Sequence, residues 1–271
     1  MRGVSINELS TYRWSFEEDV TRYAAAGVQA IGVWRQKLSD YGEEKGGELL
    51  REHGMSVSNL LWAGGFTGGD GRTFCESLED AVEAVRLAAD LESDCLVVYS
   101  GGRGGHTGNH ARRLFKAALA ELAPLASDLG VRLAVEPMHE SCARDWTFLT
   151  DVDETLEIIE DVDPVSVGLV FDSYHLGQQR SILDRVEELV PYLAVVHVGD
   201  CKRPLDGEQN RCPLGEGQIP LREILAALKS SGYGGYFDIE LIGAEIEVAD
   251  YDRLIVESKA ICEQLVQMAC A

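Results

Sequence analysis

The feature that most constrains the fold is a regular alternation of short apolar segments with longer segments of helical periodicity. Short runs rich in β-branched residues predict strands, and apolar residues that recur every three or four positions predict helices. The predicted strands are residues 2–6, 28–34, 55–61, 93–100, 131–136, 166–172, 193–198 and 235–241. Strands joined through helices run parallel, because the crossover returns the chain to the same edge. Eight repeats in 271 residues predict an α/β protein, a (β/α)8 TIM barrel, with residues 1–271 as a single domain.

The alternative to a closed barrel is an open, doubly wound parallel sheet. Such a sheet would carry a glycine-rich nucleotide-binding turn after its first strand, and the segment RGVSINELS has none. Three helix starts are predicted from a capping residue followed by an acidic residue three positions later. The capping residues are Ser15, Ser77 and Thr150.

The charge and composition indicate which partners the chain can have. It carries 46 acidic and 24 basic residues, a net charge of −22, which repels nucleic acids and anionic membranes. No segment approaches the roughly 18 apolar residues of a membrane span, and the N-terminus has no signal core. Seven cysteines without a CxxC pair predict reduced thiols. We therefore expect a cytoplasmic protein with a small-molecule partner, and neither nucleic acid nor membrane as a partner.

Four consecutive predicted strands end in residues that can bind a metal ion. They are Glu136, Asp172, His197 and Glu240. The working face of a barrel is at the carboxyl ends of its strands, and a carboxylate buried there needs an ion pair or a metal. One strand-end carboxylate alone is usually a helix cap or a rim group, but four on adjacent strands favour one divalent metal ion. Three oxygen ligands and one imidazole suit Mn²⁺ first, then Mg²⁺ or Co²⁺, with Zn²⁺ as a further candidate.

Several short motifs in this order resemble the xylose isomerase-like TIM-barrel superfamily, in its sugar phosphate isomerase/epimerase branch. The motifs are EPMH, FDSYH, HVGDCKR, GEGQIPLREIL and IEL. That branch includes ketose 3-epimerases, hydroxypyruvate isomerase and inosose dehydratase. The resemblance implies that the four strand-end residues hold the metal, and that His175 and Arg203 contact the substrate. Members of this family are often dimers or tetramers, so the resemblance is compatible with a homo-oligomer.

The chain departs from the ketose 3-epimerases at one position. Those enzymes carry a further glutamate six residues after the first metal-binding glutamate, and this chain has Cys142 there. The departure leaves open which reaction of the branch the chain performs.

The implied chemistry is proton abstraction next to the carbonyl of a small carbohydrate, through an enediolate, by a metal-dependent sugar isomerase or epimerase. The resemblance assigns the proton transfers to Glu136 and Glu240. The alternative is a metal-dependent lyase or dehydratase acting on a keto-inositol or a 3-keto sugar. Two further hypotheses are an endonuclease IV-like repair enzyme and a non-catalytic sugar-binding barrel. The repair enzyme is disfavoured because its metal site needs more histidines than the six of this chain and because the chain is acidic. The non-catalytic barrel is disfavoured because the ligand-type residues at the four strand ends are intact.

Two more residues are candidates for the wall of the substrate pocket. Trp62 ends the third predicted strand and can stack on the C–H face of a sugar. His106 lies in the glycine-rich segment after the fourth strand, residues 100–110. That segment can be interpreted either as an anion cradle, with backbone N–H groups and Arg103, or as a flexible loop.

Overall fold

The barrel predicted from the alternating pattern is confirmed. In a computed structural model that describes residues 2–207 and 209–268, eight parallel strands close in sequence order. Closure is made between the first and last strands, where Gly3 pairs with Tyr236. The strands are β1 (Gly3–Asn7), β2 (Ala30–Trp34), β3 (Ser56–Gly64), β4 (Cys95–Tyr99), β5 (Arg132–Val135), β6 (Val167–Asp172), β7 (Leu193–Val198) and β8 (Tyr236–Ile239).

Helices follow every strand and cover the outside of the barrel. Short 3-10 helices at Glu8–Thr11, Arg180–Arg185 and Val190–Tyr192 supplement them. The α-helices are α1 (Phe16–Ala25), α2 (Arg35–Tyr41), α3 (Glu43–Glu52), α4 (Phe74–Asp90), α5 (Gly108–Asp128), α6 (Glu140–Ala143), α7 (Val152–Val162), α8 (Ser173–Leu176), α9 (Val186–Leu189), α10 (Leu221–Ser230), α11 (Ala244–Glu247) and α12 (Tyr251–Met268). None of the described helices combines the length and the hydrophobicity that a bilayer crossing requires.

One of the three predicted helix starts is correct and two are wrong. Ser15 caps α1 in a reciprocal pair with Glu18. The start of α4 is capped by Thr73 instead of Ser77, because the Thr73 hydroxyl and the Glu76 carboxylate satisfy each other's backbone N–H groups first. The cap of α7 is Asp151, one residue after the predicted Thr150, and its carboxylate accepts the N–H of Glu154.

The inside of the barrel is divided into an apolar half and a polar half. Side chains of β3 to β7 fill one half with a small apolar cluster that includes Val97, Ala134 and Val170. The other half, between β8 and β3, contains a buried polar layer around Asp238. The main core lies outside, between the strands and the helices. No disulfide joins the six described cysteines, and Cys270 lies outside the described residues.

Candidate functional site

The four side chains predicted as metal ligands lie at the carboxyl ends of β5 to β8. Glu136 directly follows β5 and Glu240 directly follows β8. Asp172 ends β6 and is opposite His197 of β7 in the ladder. All four residues are between 0 and 3% exposed. The parallel register of the barrel therefore brings four ligand-type residues together in a place that water hardly reaches.

The distances among these residues match the requirements of a metal site. Ligand atoms of Glu136, Asp172 and His197 all lie within 4.8 Å of one another. Glu240 lies beside this trio, with Oε2 at 2.8 Å from His197 Nδ1. Apart from this contact with each other, His197 Nδ1 and Glu240 Oε2 have no hydrogen-bond partner in the described part of the chain, and His197 Nε2 has none there. Buried polar atoms without a partner are rare in folded proteins, so these atoms indicate a place for a bound cation.

The pKa values in the cluster reflect an excess of negative charge. Burial raises the pKa of Glu136 to about 8, and the carboxylates of Asp172 and Glu240 add to the rise. Burial alone would lower the pKa of His197, but the carboxylates of Glu240, Glu136 and Asp238 raise it to about 10. The pKa of Glu240 is lowered to about 2, because Arg211 and His197 outweigh the effect of its burial. Without a cation the cluster therefore holds protons that a divalent ion would displace.

The donor set fits a divalent ion in charge as well as in geometry. Three carboxylates contribute a formal charge of −3, and the guanidinium of Arg211 beside them contributes +1, with the imidazole neutral. The sum of −2 is balanced by one divalent cation. Carboxylate oxygens with one imidazole are a ligand set that Mn²⁺, Mg²⁺, Co²⁺ and Zn²⁺ all accept.

Arg211 belongs to this site and was not predicted from the sequence. Its Nη2 is 2.8 Å from Asp172 Oδ2 and 2.9 Å from Glu240 Oε1, and Nη1 donates a hydrogen bond to the Glu240 carbonyl at 3.0 Å. The guanidinium lies 4.6 Å from the centre of the Tyr174 ring, and the residue is 2% exposed. A fully buried arginine paired with two carboxylates holds both of them in place.

Arg203, which the resemblance assigns to the substrate, lies outside the cluster and lines a cavity together with Arg211. It is exposed in the loop after β7 and makes no ion pair in the described part of the chain. Its role in substrate binding stays a prediction. The arginine that this fold brings to Asp172 and Glu240 is Arg211, eight positions further along the same loop.

Asp200 helps to place Arg211, which lies in the loop after β7, beside Asp172 and Glu240. Its carboxylate accepts backbone N–H groups from Gly215, Gly217 and Ile219 at 3.0–3.1 Å, so it holds the end of the loop after β7 close to the loop's beginning. A Cβ at Gly217 would lie 2.0 Å from Asp200 Oδ1, so this turn requires glycine. The backbone N–H of Arg211 then donates to Ile242 at 2.7 Å, just beyond β8.

Asp238 lies beneath His197 in the polar half of the barrel. It is completely buried, and its Oδ2 accepts hydrogen bonds from Asn7 and Asn59 at 2.8 and 2.9 Å. The same oxygen is 3.9 Å from His197 Nε2. A carboxylate on the far side of a metal-binding imidazole favours the orientation in which the other nitrogen faces the metal. A Cβ at Gly32 would come within 2.6 Å of Asp238 Oδ2, so this layer also depends on a glycine.

Tyr99 connects the cluster of candidate metal ligands to an aromatic wall at the barrel mouth. At the end of β4 its hydroxyl donates a hydrogen bond to Glu136 Oε2 at 2.9 Å. Burial and the nearby carboxylates raise its pKa well above the usual value, so the hydroxyl keeps its proton. Its ring packs edge-to-face against Trp62 and Trp146. Trp62 is half-buried and stacks on Trp34, which supports the prediction that it lines the mouth without testing its contact with a substrate.

Replacing Tyr99 with phenylalanine is expected to weaken metal binding by about tenfold, the usual effect of losing a partner of a metal ligand. The ring and its packing against Trp62 remain, but Glu136 Oε2 loses its hydrogen-bond donor. Calorimetric titration of the metal-free protein with Mn²⁺ measures the change. Tyr192→Phe is the matched control, because that hydroxyl contacts Glu160 on the surface. Equal affinities of Tyr99→Phe and the parent protein would show that the hydroxyl does not position Glu136.

His175 lies close to the cluster in a form suited to hydrogen bonding. It is 3% exposed, and neither ring nitrogen has a partner among the described residues. Burial lowers its pKa to about 4, although Asp172 and Glu240 oppose this shift. At neutral pH the imidazole is therefore uncharged, with one donor and one acceptor available to a hydroxyl or carbonyl group.

His106 and the glycine-rich segment around it make contacts of a different kind. His106 Nε2 is 3.1 Å from the Thr67 carbonyl, and its ring contacts His110. The N–H groups of Gly101 and Gly102 donate to carbonyls of the loop after β5, at 2.9 and 3.3 Å. These N–H groups are therefore engaged in packing one loop against another and are unavailable to an anion. Contact of His106 with a substrate stays a prediction.

Comparison with known proteins gives matches over most of the chain. The family model described as "Xylose isomerase-like TIM barrel" matches residues 20–262. An inosose isomerase of Halalkalibacterium halodurans is 27% identical over 52% of this chain and 50% of its own length. A ketose 3-epimerase of Arthrobacter globiformis is 26% identical over 76% of this chain and 70% of its own length. The chain thus spans about half the length of the first curated relatives that it matches.

Solved structures show the same architecture. The crystal structure of the IOLI protein with a binding zinc atom superimposes with a TM-score of 0.85, covering 98% of this chain and 99% of that one. Its sequence identity of 20% limits the likeness to the fold.

Proposed function

We propose that this chain, which belongs to the xylose isomerase-like TIM-barrel family, is a divalent-metal-dependent isomerase or epimerase of a keto sugar or an inosose. The observation that carries the proposal is the buried cluster of Glu136, Asp172 and His197, with ligand atoms within 4.8 Å of one another. Relatives that act on an inosose and on ketoses support the substrate class. Both kinds of substrate have a carbonyl next to a carbon that carries a hydroxyl group.

The cluster and its neighbour Glu240 would hold the ion. A divalent cation supplies Lewis-acid stabilisation of the negative charge that develops on a substrate oxygen when a neighbouring proton leaves. Burial of the four residues also excludes water, which strengthens every charge interaction with the substrate and protects an enediolate from side reactions.

The contacts favour Glu136 over Glu240 as the group that takes the proton. Both oxygens of Glu240 lie next to positive or polar groups, Oε1 at 2.9 Å from Arg211 and Oε2 at 2.8 Å from His197. Glu136 Oε2 accepts a hydrogen bond from the neutral Tyr99 hydroxyl at 2.9 Å, and its Oε1 is farther from His197, at 4.0 Å from Nδ1. A carboxylate with fewer cationic contacts is the stronger base. Glu136 would therefore remove the proton next to the carbonyl and return it to a neighbouring carbon.

Cys142 favours isomerisation over epimerisation by two opposed bases. It occupies the position where the resemblance places a further glutamate in ketose 3-epimerases, and it is 6% exposed. Burial raises the pKa of its thiol, so the group stays protonated at neutral pH. An isomerase needs one base that moves a proton between adjacent carbons, which is what Glu136 can provide.

The test combines metal binding with proton exchange. The purified protein is expected to bind about one divalent ion per chain, and Glu240→Gln is expected to bind it more weakly. Ketohexoses and inososes are then incubated with the metal-loaded protein in D₂O. Deuterium that enters the carbon next to the carbonyl reports proton abstraction, and the product identity distinguishes an isomer or epimer from a dehydrated compound.

Glu216→Gln is the matched control for Glu240→Gln. Glu216 is a surface residue paired with Lys202, and it lies in the turn that Asp200 organises. Its variant should bind metal like the parent protein. A parent protein that takes up no divalent ion when Mn²⁺, Mg²⁺, Co²⁺ and Zn²⁺ are supplied would overturn the proposal.

A further inference from the structure

Three cavities lie around the metal cluster at the carboxyl end of the barrel. The first, of about 310 Å³, is lined by His175 and the second, of about 220 Å³, by Arg211. The third has a volume of about 380 Å³ and is called the rim cavity here. It shares His139 and Gln179 with the first cavity and Arg203 with the second. The rim cavity therefore adjoins both of the other cavities.

The rim cavity differs in charge from the other cavities. Each of the other four described cavities is lined by two carboxylates, whereas no Asp or Glu is among the described residues that line this one. Its two arginines give it a formal charge of +2 in a chain whose net charge is −22. Its polar lining consists of Arg180, Arg203, His139, Gln178, Gln179 and Gln218.

The two guanidinium groups of this lining are free to bind a ligand. Arg180 and Arg203 are exposed and make no ion pair in the described part of the chain. Nearby Arg185, in contrast, is engaged by Asp153 and Glu188. Guanidinium groups prefer planar or tetrahedral oxyanions, which they bind through paired hydrogen bonds.

The start of α10 lies at the edge of the rim cavity, where the N–H groups of Ile219 and Leu221 already donate to Asp200 Oδ1 and to the Ile219 carbonyl. Gln218, Ile219 and Pro220 line the rim cavity, and the helix begins at Leu221 with no side-chain cap. The first N–H groups of a helix carry a partial positive charge and lack partners within the helix. The ten-residue helix thus begins at the edge of a cavity that already holds two arginines.

We propose that the rim cavity binds an anionic group of the substrate, a phosphate or a carboxylate remote from the reacting carbonyl. The proposal rests on the proposed function, because it makes the substrate an anionic derivative of a keto sugar or an inosose. Such a substrate would reach from the metal cluster past His175 to Arg180 and Arg203. The strongly acidic surface would oppose its approach, and the rim cavity would supply the local attraction.

The first test uses inorganic phosphate as the probe and requires no turnover. Calorimetric titration of the purified protein with phosphate, against chloride at equal ionic strength, is expected to give saturable binding. The double variant Arg180→Gln/Arg203→Gln should bind phosphate at least about tenfold more weakly, since hydrogen bonds to charged groups are lost. Arg51→Gln is the matched control, because Arg51 is exposed on α3 and lines none of the three cavities. The absence of saturable phosphate binding would overturn the proposed site, and so would an equal phosphate affinity of the double variant and the parent protein.

The second test asks what carries the anion. Deuterium exchange is compared for a ketose, its phosphate ester and a keto sugar acid, with parent protein and double variant. A KM that rises more for one anionic substrate than for the neutral ketose in the double variant supports the proposal and identifies the anion. An unchanged KM for both anionic substrates overturns it. Because phosphate binding is measured without turnover, failure of the proposed reaction and failure of this site give different results.

Discussion

Replacing Arg211 with methionine is expected to destabilise the metal-free protein by about 3–5 kcal/mol, the usual cost of removing one partner from a buried ion pair. Methionine fills much of the same volume, so the effect isolates the charge. Asp172 and Glu240 would lose the guanidinium that lies 2.8 and 2.9 Å from their oxygens, and neither carboxylate can reach water. Equilibrium unfolding in urea, at the same pH with chelator present, measures the change.

Two comparisons make this prediction specific. Arg203→Met removes the same charge from an exposed position in the same loop, and a surface change of this kind should stay within about 0.5 kcal/mol. Adding Mn²⁺ should return part of the stability of Arg211→Met, because a cation replaces the lost positive charge and binds only the folded state. An Arg211→Met protein as stable as the parent without metal would show that the arginine does not neutralise the cluster.

The barrel could be predicted because its pattern is local and repeated. Each strand appears in the sequence as a short run rich in β-branched residues, and each crossover as a segment with helical periodicity. An error at one boundary therefore leaves the number of predicted strands, eight, unchanged. The misplaced start of α4 is such an error. Ser77 and Thr73 both suit a cap, but the Ser77 hydroxyl donates to the Gly65 carbonyl at 3.1 Å across a loop, while Thr73 forms the reciprocal cap with Glu76. Sequence spacing carries no information about that contact.

The positions of the metal-ligand candidates were predictable for a related reason. Parallel strands of a closed barrel all end at the same face, so residues that end β5 to β8 must converge whatever the loops do. Glu136, Asp172 and His197 do converge, to within 4.8 Å. What the sequence could not provide is whether an ion occupies the site and which one, because the same ligands suit several metals.

The position of Arg211 could not be predicted from the sequence, because it lies in a loop, and a loop does not fix the location of its residues as a strand does. The prediction counted six residues from His197 to Arg203, following the family spacing. Here the loop after β7 is long, and Asp200 folds it back so that Arg211 meets the cluster. The available signal was the aspartate followed by the Gly215-Glu216-Gly217 turn, which fixes the end of the loop close to its beginning. That Tyr99 lies near the cluster was predictable, because it is the last residue of β4 and all strands of the barrel end at the same face.

The final prediction concerns the proton transfer itself. Replacing Glu136 with glutamine is expected to lower kcat by about 10³-fold, within the range for loss of a general base. Glutamine has the same size and can still accept the hydrogen bond from Tyr99, but it cannot take a proton. The measurement is deuterium exchange into the best ketose or inosose, at a Mn²⁺ concentration that saturates the variant. Metal content is determined on the same sample, so that loss of the ion and loss of the base are separated.

The matched comparison for Glu136→Gln is Glu240→Gln, which changes the same chemical group on the other side of His197. If Glu136 is the base and Glu240 chiefly a ligand held by Arg211, the Glu240 variant should regain most of its exchange rate once enough metal is supplied. The Glu136 variant should not, because no metal concentration restores a missing proton acceptor. Exchange in Glu136→Gln above about a tenth of the parent rate at full metal occupancy would assign the proton transfer to another group. The distinction matters for the reaction type, since a single base at Glu136 supports transfer between adjacent carbons and a pair of bases supports inversion.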